Sequence, residues 1–500
     1  MAFLGIELGS TRIKAVVIDE AHAVLAASTY GWENQMIDGH WSYCLEEVWQ
    51  GLQHCIANLS VPLQNITAMG VSAMMHGYLV FDSTGKQLVP FRTWRNTNAA
   101  EAAQELSMMF DFRLPRRWST SHLYQAILNQ ESHVANIAFM TTLAGYVHWK
   151  LTGEQVFGIG DASGMFPIDN TTHDYDNTML CKFDGLGKLH CGLREILPKV
   201  LIAGQPAGTL TKAGAALLDP SGGLQPGITL CPPEGDAGTG MVATNSVTPH
   251  SGNVSAGTSI FAMVVLEHAL PHALDAIDIV TTPAGKPVAM VHCNNCTSDI
   301  DAWASLLMQF AGLLGASVEK PELYDKLYAA ALDGKNNCGS MLSYNFFSGE
   351  PIAGVSEGHP LLMRSTNSDF TPQNLMRSLV FSAVASLRLG LDILAHEQVK
   401  LARVMGHGGF FKSPGAAQLM AAALAAPVSV MAQAGEGGAW GIALLAAFMA
   451  QKKPNETLES FLEHRVFAGQ EILTIAPNET DRQSFDAYFE GWKQGLALFH

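Results

Sequence analysis

The sequence predicts an α/β protein made of two related halves, and three observations carry that reading. Apolar residues make up 48% of the 500 and charged residues only 15%, enough for sizeable cores and far from a disordered composition. Strand-like apolar runs alternate with amphipathic helical stretches, the signature of layered α/β packing. A strand–turn–strand pattern with a small, hydroxyl-rich turn occurs twice, about half a chain apart, which fits two related domains and not a short-period solenoid.

The first copy opens the chain. Phe3 to Leu8 is apolar with Glu7 embedded, Gly9-Ser10-Thr11 interrupts, and Ile13 to Ile18 resumes as a β-branched run; two such runs around a short turn read as a β-hairpin. The second copy runs Gly252 to Ala256, then Gly257-Thr258-Ser259, then Ile260 to Val265. Helices are expected over Glu46 to Leu59, Asn98 to Met109, Met140 to Leu151 and Met376 to His396, and strands over Ile66 to Ser72 and Tyr78 to Phe81. The polar stretch Thr244 to Ser251, with Pro249, marks the boundary, giving domains 1–246 and 247–500. The apolar tract Ala416 to Ala450 is broken by Pro427, Gln433, Glu436 and glycines. It reads as buried helix–strand–helix and not as an uninterrupted span of about 20 residues, so no membrane partner is expected.

Charge and cysteine use exclude further classes. Lys+Arg 29 against Asp+Glu 45 gives a net charge of −16. With no basic run to offset it, that charge disfavours nucleic acid and anionic lipid. Met1 to Glu7 has no cationic region ahead of an apolar stretch, so no signal peptide is expected. Eight irregularly spaced cysteines fit reduced thiols in a cytoplasmic protein better than a disulfide framework. Cys293-Asn294-Asn295-Cys296 could be half a zinc site or a redox pair, but no second pair stands at a useful spacing, which favours a structural role.

Five features could carry chemistry. Both hydroxyl turns expose backbone N–H groups suited to phosphate, although an ordinary hairpin turn accounts for either one equally well. Pro232-Pro233-Glu234-Gly235-Asp236-Ala237-Gly238-Thr239-Gly240 sets an acidic residue among glycines. Asp236 is then a candidate general base for a hydroxyl nucleophile or, as the plainer alternative, a helix cap. Gly406-His407-Gly408-Gly409-Phe410-Phe411-Lys412-Ser413 and Gly435-Glu436-Gly437-Gly438-Ala439-Trp440-Gly441 each open a helix, where free N–H groups favour anions. Neither has the Walker spacing. Together with the two turns they make a nucleotide site the economical account.

In this order the motifs resemble those of the FGGY family of carbohydrate kinases, within the actin/Hsp70/hexokinase-like ATPase superfamily, and the resemblance covers nearly the whole chain. Glu7-Leu8-Gly9-Ser10-Thr11-Arg12-Ile13-Lys14 resembles the first phosphate motif and Gly257-Thr258-Ser259 the second. Gly408-Gly409 through Lys412-Ser413 resembles the adenosine motif, Glu436-Gly437-Gly438-Ala439 the late E-G-G-A element, and Gly235-Asp236 falls on the catalytic aspartate. Ser72-Ala73-Met74-Met75-His76-Gly77, Trp94-Arg95-Asn96 and Phe347-Ser348-Gly349-Glu350-Pro351 resemble segments of the xylulokinase branch.

The resemblance implies two RNase H-like domains of the actin/hexokinase type flanking a catalytic cleft, with ATP and Mg²⁺ as cofactors. It implies phosphorylation of a small sugar hydroxyl, on a ketose such as D-xylulose or a related ketose or polyol. Asp236 takes the role of base; Met75, His76, Trp94, Arg95, Asn96 and Asp236 touch the sugar. Gly9, Ser10, Thr11, Lys14, Gly257, Thr258, Ser259, Gly408, Gly409, Lys412 and Ser413 hold ATP, and Glu7 with Asp236 holds the metal. A homodimer is the assembly the family suggests. Three departures stand out: Glu7 replaces an Asp, Ala237 stands where xylulokinases place a sugar-binding Asn, and Met74 replaces a Gln. They point to a remodelled sugar pocket and leave a second reading open, a catalytically weak nucleotide-binding regulator or chaperone-like ATPase on the same fold.

Overall fold

The computed structural model describes residues 1–431, 437–470 and 472–499. The chain divides into two compact units, the first made of 1–248, 267–288 and 433–470, the second of 249–266, 289–432 and 471–500.

In the first unit, strand Ala2–Leu8 lies at the middle of a six-stranded sheet. It pairs antiparallel with Arg12–Ile18 and parallel with Ile66–Ala73, which in turn runs parallel to Thr229–Leu230 and Glu234–Gly235. Strands buried on both faces read as continuous apolar runs and not as alternation, and that is the pattern of Phe3 to Leu8. Their two faces nevertheless differ. Leu4, Ile6 and Leu8 share a core with Val48, Leu52 and Ile56 of helix Leu45–Ala57 and with Leu143, Val147 and Leu151 of helix Leu143–Thr152. On the other face Gly5 and Gly70 are register partners. A side chain at Gly5 would collide with the backbone of Ala439 and Ala443, and one at Gly70 with Ile442. Their bareness lets helix Gly437–Gln451 lie directly on the sheet. Side chains alternate along a strand, so Glu7 shares the face of Gly5 and points towards the start of that helix.

The second unit repeats the plan. Val428–Met431, Arg403–His407 and Ser251–Ala256 run parallel in that order, and Ser251–Ala256 turns back antiparallel into Ile260–Val265. Thr229–Leu230, Ile66–Ala73, Ala2–Leu8 and Arg12–Ile18 have the same order and the same directions, so the two sequence copies are two copies of one sheet motif. The tract after Ala416 folds as expected, with helix Pro414–Leu424, strand Val428–Met431 and helix Gly437–Gln451, although Gln433 and Glu436 lie outside the described residues.

Among the described residues one helix, Pro372–His396, is long and apolar enough to cross a membrane by composition. Most of its residues are buried within the unit, and it carries a buried Arg377 that donates to Asp481 at 2.6 Å and Ser484 at 3.1 Å. That is the setting of a core helix whose one buried charge is paired.

Candidate active site

Asp236 begins helix Asp236–Ala243, directly after strand Glu234–Gly235, and Gly235, not Asp236, occupies the N-cap. Its Oδ1 accepts from the backbone N–H of Ala237 at 2.9 Å and of Met75 at 3.2 Å. Oδ2 has no hydrogen-bond partner among the described residues. Burial pushes the carboxyl up to about 6, against the pull of those amide donors. A half-buried carboxylate with one oxygen held, the other unspent and a pKa close to neutrality has the properties of a general base.

Two acids behind it were not singled out in the sequence. Glu234 is buried and accepts from the N–H groups of Gly160 at 3.3 Å and Asp161 at 2.9 Å; burial, with Asp161 close by, raises its pKa well above the usual range. Asp161 is fully buried, accepts from Thr142 Oγ1 at 2.6 Å, and leaves Oδ1 without a partner. Burial raises it to about 7, and the charge of Asp236 adds to the rise. Gly158-Ile159-Gly160-Asp161 is an acid among glycines like the one around Asp236, and that is the local signal by which it could have been found.

His76 follows strand Ile66–Ala73 in a left-handed conformation, φ 70°. Its Nδ1 pairs with the Gly164 carbonyl at 2.9 Å and its Nε2 with Arg117 Nε at 3.2 Å. A carbonyl can only accept and a guanidinium can only donate, so Nδ1 carries the proton and the ring is neutral. Met75 is hydrogen-bonded to Asp236, and His76 is the next residue in the chain. The Trp94-Arg95-Asn96 segment divides. Trp94 donates from Nε1 to Ser10 Oγ at 3.3 Å and so reaches the first hydroxyl turn. Arg95 donates to Asn34 at 2.9 Å and lies over the Trp41 ring. Asn96 is buried with its amide spent on the backbone of Trp41 and Thr93.

The first turn is held through its carbonyls. Gly9 O accepts from Trp32 Nε1 at 2.7 Å and Ser10 O from Tyr43 at 2.6 Å, with the two rings stacked. The Ser10 and Thr11 N–H groups make no hydrogen bond among the described residues. Lys14 is the register partner of Glu7 across the hairpin. A side chain added at Gly438 would run into Glu7 Oε1 and come within 2.9 Å of Thr239 Oγ1. Thr239 in turn lies 3.0 Å from Ser72 Oγ and donates to the Asp236 carbonyl at 3.2 Å. Glu7 thus sits in a small cradle that reaches the backbone of Asp236.

The second turn is pinned the same way. Cys296 N donates to Thr258 O at 2.9 Å and Thr297 N to Gly257 O at 3.0 Å, while Gly257 N closes the turn on Ser259 O. That loop is fixed by buried Glu350, which accepts from Asn294 N at 3.2 Å, Asn295 N at 3.1 Å and Asn295 Nδ2 at 3.0 Å. Cys293 and Cys296 are buried thiols whose pKa values burial raises. Gly408 packs on Ala256, just before the turn; Gly409 and Lys412 are exposed, and Ser413 is the buried N-cap of helix Pro414–Leu424. Gly435 and Glu436 of the late glycine cluster lie outside the described residues. Replacing Glu350 with Ala strands the two donors of buried Asn295, its backbone N–H and its Nδ2. At about 1–3 kcal/mol for each, thermal denaturation should show a markedly lower Tm, with Glu350→Gln closer to the wild type.

A sheet motif present in two copies, each with a hydroxyl turn, marks a protein of the actin/hexokinase-like fold class. The chain belongs to the FGGY family of carbohydrate kinases: the family's N-terminal domain matches residues 2–242 and its C-terminal domain residues 252–450. It is a sugar kinase, a transferase with an alcohol group as acceptor. The chain is 23% identical over 470 residues to a xylulose kinase of Haemophilus influenzae, covering 89% of this chain and 90% of the relative. Among solved structures, xylulose kinase from Rhodospirillum rubrum superposes with a TM-score of 0.83 at 17% identity, over 100% of this chain and 99% of the other. Gluconate kinase from Lactobacillus acidophilus gives 0.81 at 16%, over 100% and 98%. At these identities the structures share the fold and leave the acceptor open.

Proposed function

We propose that this kinase transfers the γ-phosphoryl group of ATP to a hydroxyl of a small polyhydroxylated acceptor, with Asp236 as the general base. The observation that carries this reading is the Asp236 carboxyl itself, held by two amides through one oxygen and raised to about 6 by burial. Oδ2 would accept the hydroxyl proton as the oxygen attacks phosphorus in line. Met75 and His76 would line the acceptor, with Trp94 beside them. Asn96, whose amide is already spent on backbone, would support it from behind, and Arg95, held by Asn34 and the Trp41 ring with donors to spare, would stand at its exposed edge.

The Ser10 and Thr11 amides, with Lys14, would bind phosphate oxygens, as would the turn of Gly257, Thr258 and Ser259. Gly408, Gly409, Lys412 and Ser413 would border the adenosine. Mg²⁺ fits the donor set: it is commonly held by one or two carboxylates plus substrate phosphates, and Glu7 in its cradle would supply such a carboxylate, with Asp236 beside it and Oδ2 left for the hydroxyl proton. The ion would neutralise charge on the phosphates.

ADP release from Mg-ATP against a panel of ketoses, polyols and sugar acids tests the assignment, and ATP hydrolysis indifferent to every acceptor would overturn it. A pH dependence follows. The base must be ionised, so kcat/KM should fall as the pH drops through about 6, the raised pKa of Asp236. A profile flat down to pH 5 would remove Asp236 from that role.

A further inference from the structure

The segment 111–118, between helices Ala100–Phe110 and Ser119–Leu128, carries Arg113, Arg116 and Arg117. Arg117 donates through Nε to His76 Nε2 at 3.2 Å and pairs through Nη2 with Asp278 Oδ2. Arg113 donates through Nε to Asp278 Oδ1 at 2.7 Å. Asp278 is 3% exposed. Burial alone would raise its carboxyl, but the two guanidinium groups outweigh burial and hold it at about 2, so it stays ionised at every working pH.

Two guanidinium groups over one carboxylate leave one positive charge unbalanced. One arginine would have been enough to neutralise Asp278. Both side chains are partly accessible, Arg117 at 21% and Arg113 at 33%. Arg117 Nη1 and both Nη groups of Arg113 have no partner among the described residues. This surplus stands directly on His76, whose neighbour Met75 donates to Asp236. His76, with Nδ1 on a carbonyl and Nε2 on a guanidinium, presents Arg117 as the charged group at this end of the candidate acceptor site. A neutral ketose offers nothing to offset that charge, whereas a carboxylate matches the planar guanidinium fork.

We propose that the acceptor carries a carboxylate bound by Arg117 and Arg113, so that the substrate is a small polyhydroxy acid phosphorylated on a hydroxyl remote from the acid group. The proposal rests on the reading of Asp236 as the base of a sugar kinase. It makes Arg117 a specificity-determining residue and Asp278 its positioning partner.

The test is ADP release from Mg-ATP with acid and alditol pairs that differ only at the acid carbon, D-gluconate with D-glucitol, D-xylonate with xylitol and D-threonate with D-threitol, and with D-fructose and D-xylulose added to the first two sets as the neutral ketoses. D-Glucose 6-phosphate serves as a phosphorylated probe. In at least one set the acid should exceed its neutral counterparts by at least about tenfold in kcat/KM. Arg117→Met should lower kcat/KM for that acid about 10²-fold, chiefly through KM, as expected when one partner of a charge pair is removed, and should lower that for the alditol, which shares only the His76 contact, by at least about tenfold less. Because Arg117→Met also disturbs Asp278, Arg113→Met and Arg117→Lys are measured beside it. Both leave Asp278 a cation and should still weaken the acid selectively.

A neutral sugar preferred in every set overturns the carboxylate while leaving the kinase reading intact. So does preference for the phosphorylated probe, or an equal loss for acid and alditol in the variants. Failure of every probe while Mg-ATP still binds overturns both readings.

Discussion

Asp236→Asn is expected to lower kcat by about 10²-fold or more, with ATP affinity within a few-fold of the wild type. The substitution is nearly isosteric. The remaining amide oxygen can still accept from Ala237 and Met75, as Oδ1 does at 2.9 and 3.2 Å, so the loop and helix start are kept. Only the ability to take a proton at the second oxygen is lost. Removing a buried carboxyl whose charged form is disfavoured should not cost stability, so an unchanged Tm separates a chemical defect from a folding one. Stopped-time ADP assays at saturating acceptor, with nucleotide binding followed by titration, read the two quantities independently. Turnover within tenfold of the wild type would move the base to another residue. The acid limb near pH 6 should vanish from the residual activity of the same variant, which ties the profile to this carboxyl.

The repeat of the sheet was legible because its turn is a local, composition-marked object: Gly9-Ser10-Thr11 and Gly257-Thr258-Ser259 can each be read within three residues. Strand Ile66–Ala73 and helix Pro372–His396 were legible because long, strongly periodic or uniformly apolar segments leave few alternatives. Ends drifted by a few residues, as at Leu45–Ala57 against the expected Glu46 to Leu59, because helix ends fray and caps compete.

The site was half legible. Asp236 announces itself by its glycines. Arg117 and Asp278 do not, because 161 residues separate them and the fold alone brings them together. Asn96 shows the converse. The family resemblance implies a sugar contact, yet the three hydrogen bonds that spend its side chain on backbone are invisible without coordinates. Glu234 stands only two residues before Asp236. Its role as the buried acceptor that ties down Gly160 and Asp161 depends on a loop more than seventy residues earlier in the chain. Local motif chemistry can be read from sequence; the partners that tune it are long-range.

The two glycines that resemble the adenosine motif should separate when each is replaced by alanine, because they are bare for different reasons. Gly408 has φ of +100° and a Cβ there would collide with the Ala256 carbonyl. Ala256 ends the strand that leads into the Gly257 turn, so Gly408→Ala must push Arg403–His407 away from Ser251–Ala256 just where the turn is set. Strain at a left-handed position costs of order 1–3 kcal/mol, and the collision adds to it, so Gly408→Ala should lower Tm and raise the KM for ATP together. Gly409 has no atom within 4 Å of its would-be Cβ and no left-handed backbone; Gly409→Ala should fold as well as the wild type. If the nucleotide lies against Gly409, the added methyl group displaces it, and the KM for ATP rises several-fold at unchanged Tm. Equal ATP affinity in Gly409→Ala and the wild type would place the adenosine elsewhere and leave only Gly408, a packing requirement, to explain the motif. The contrast therefore tells a glycine kept for the fold from one kept for the ligand.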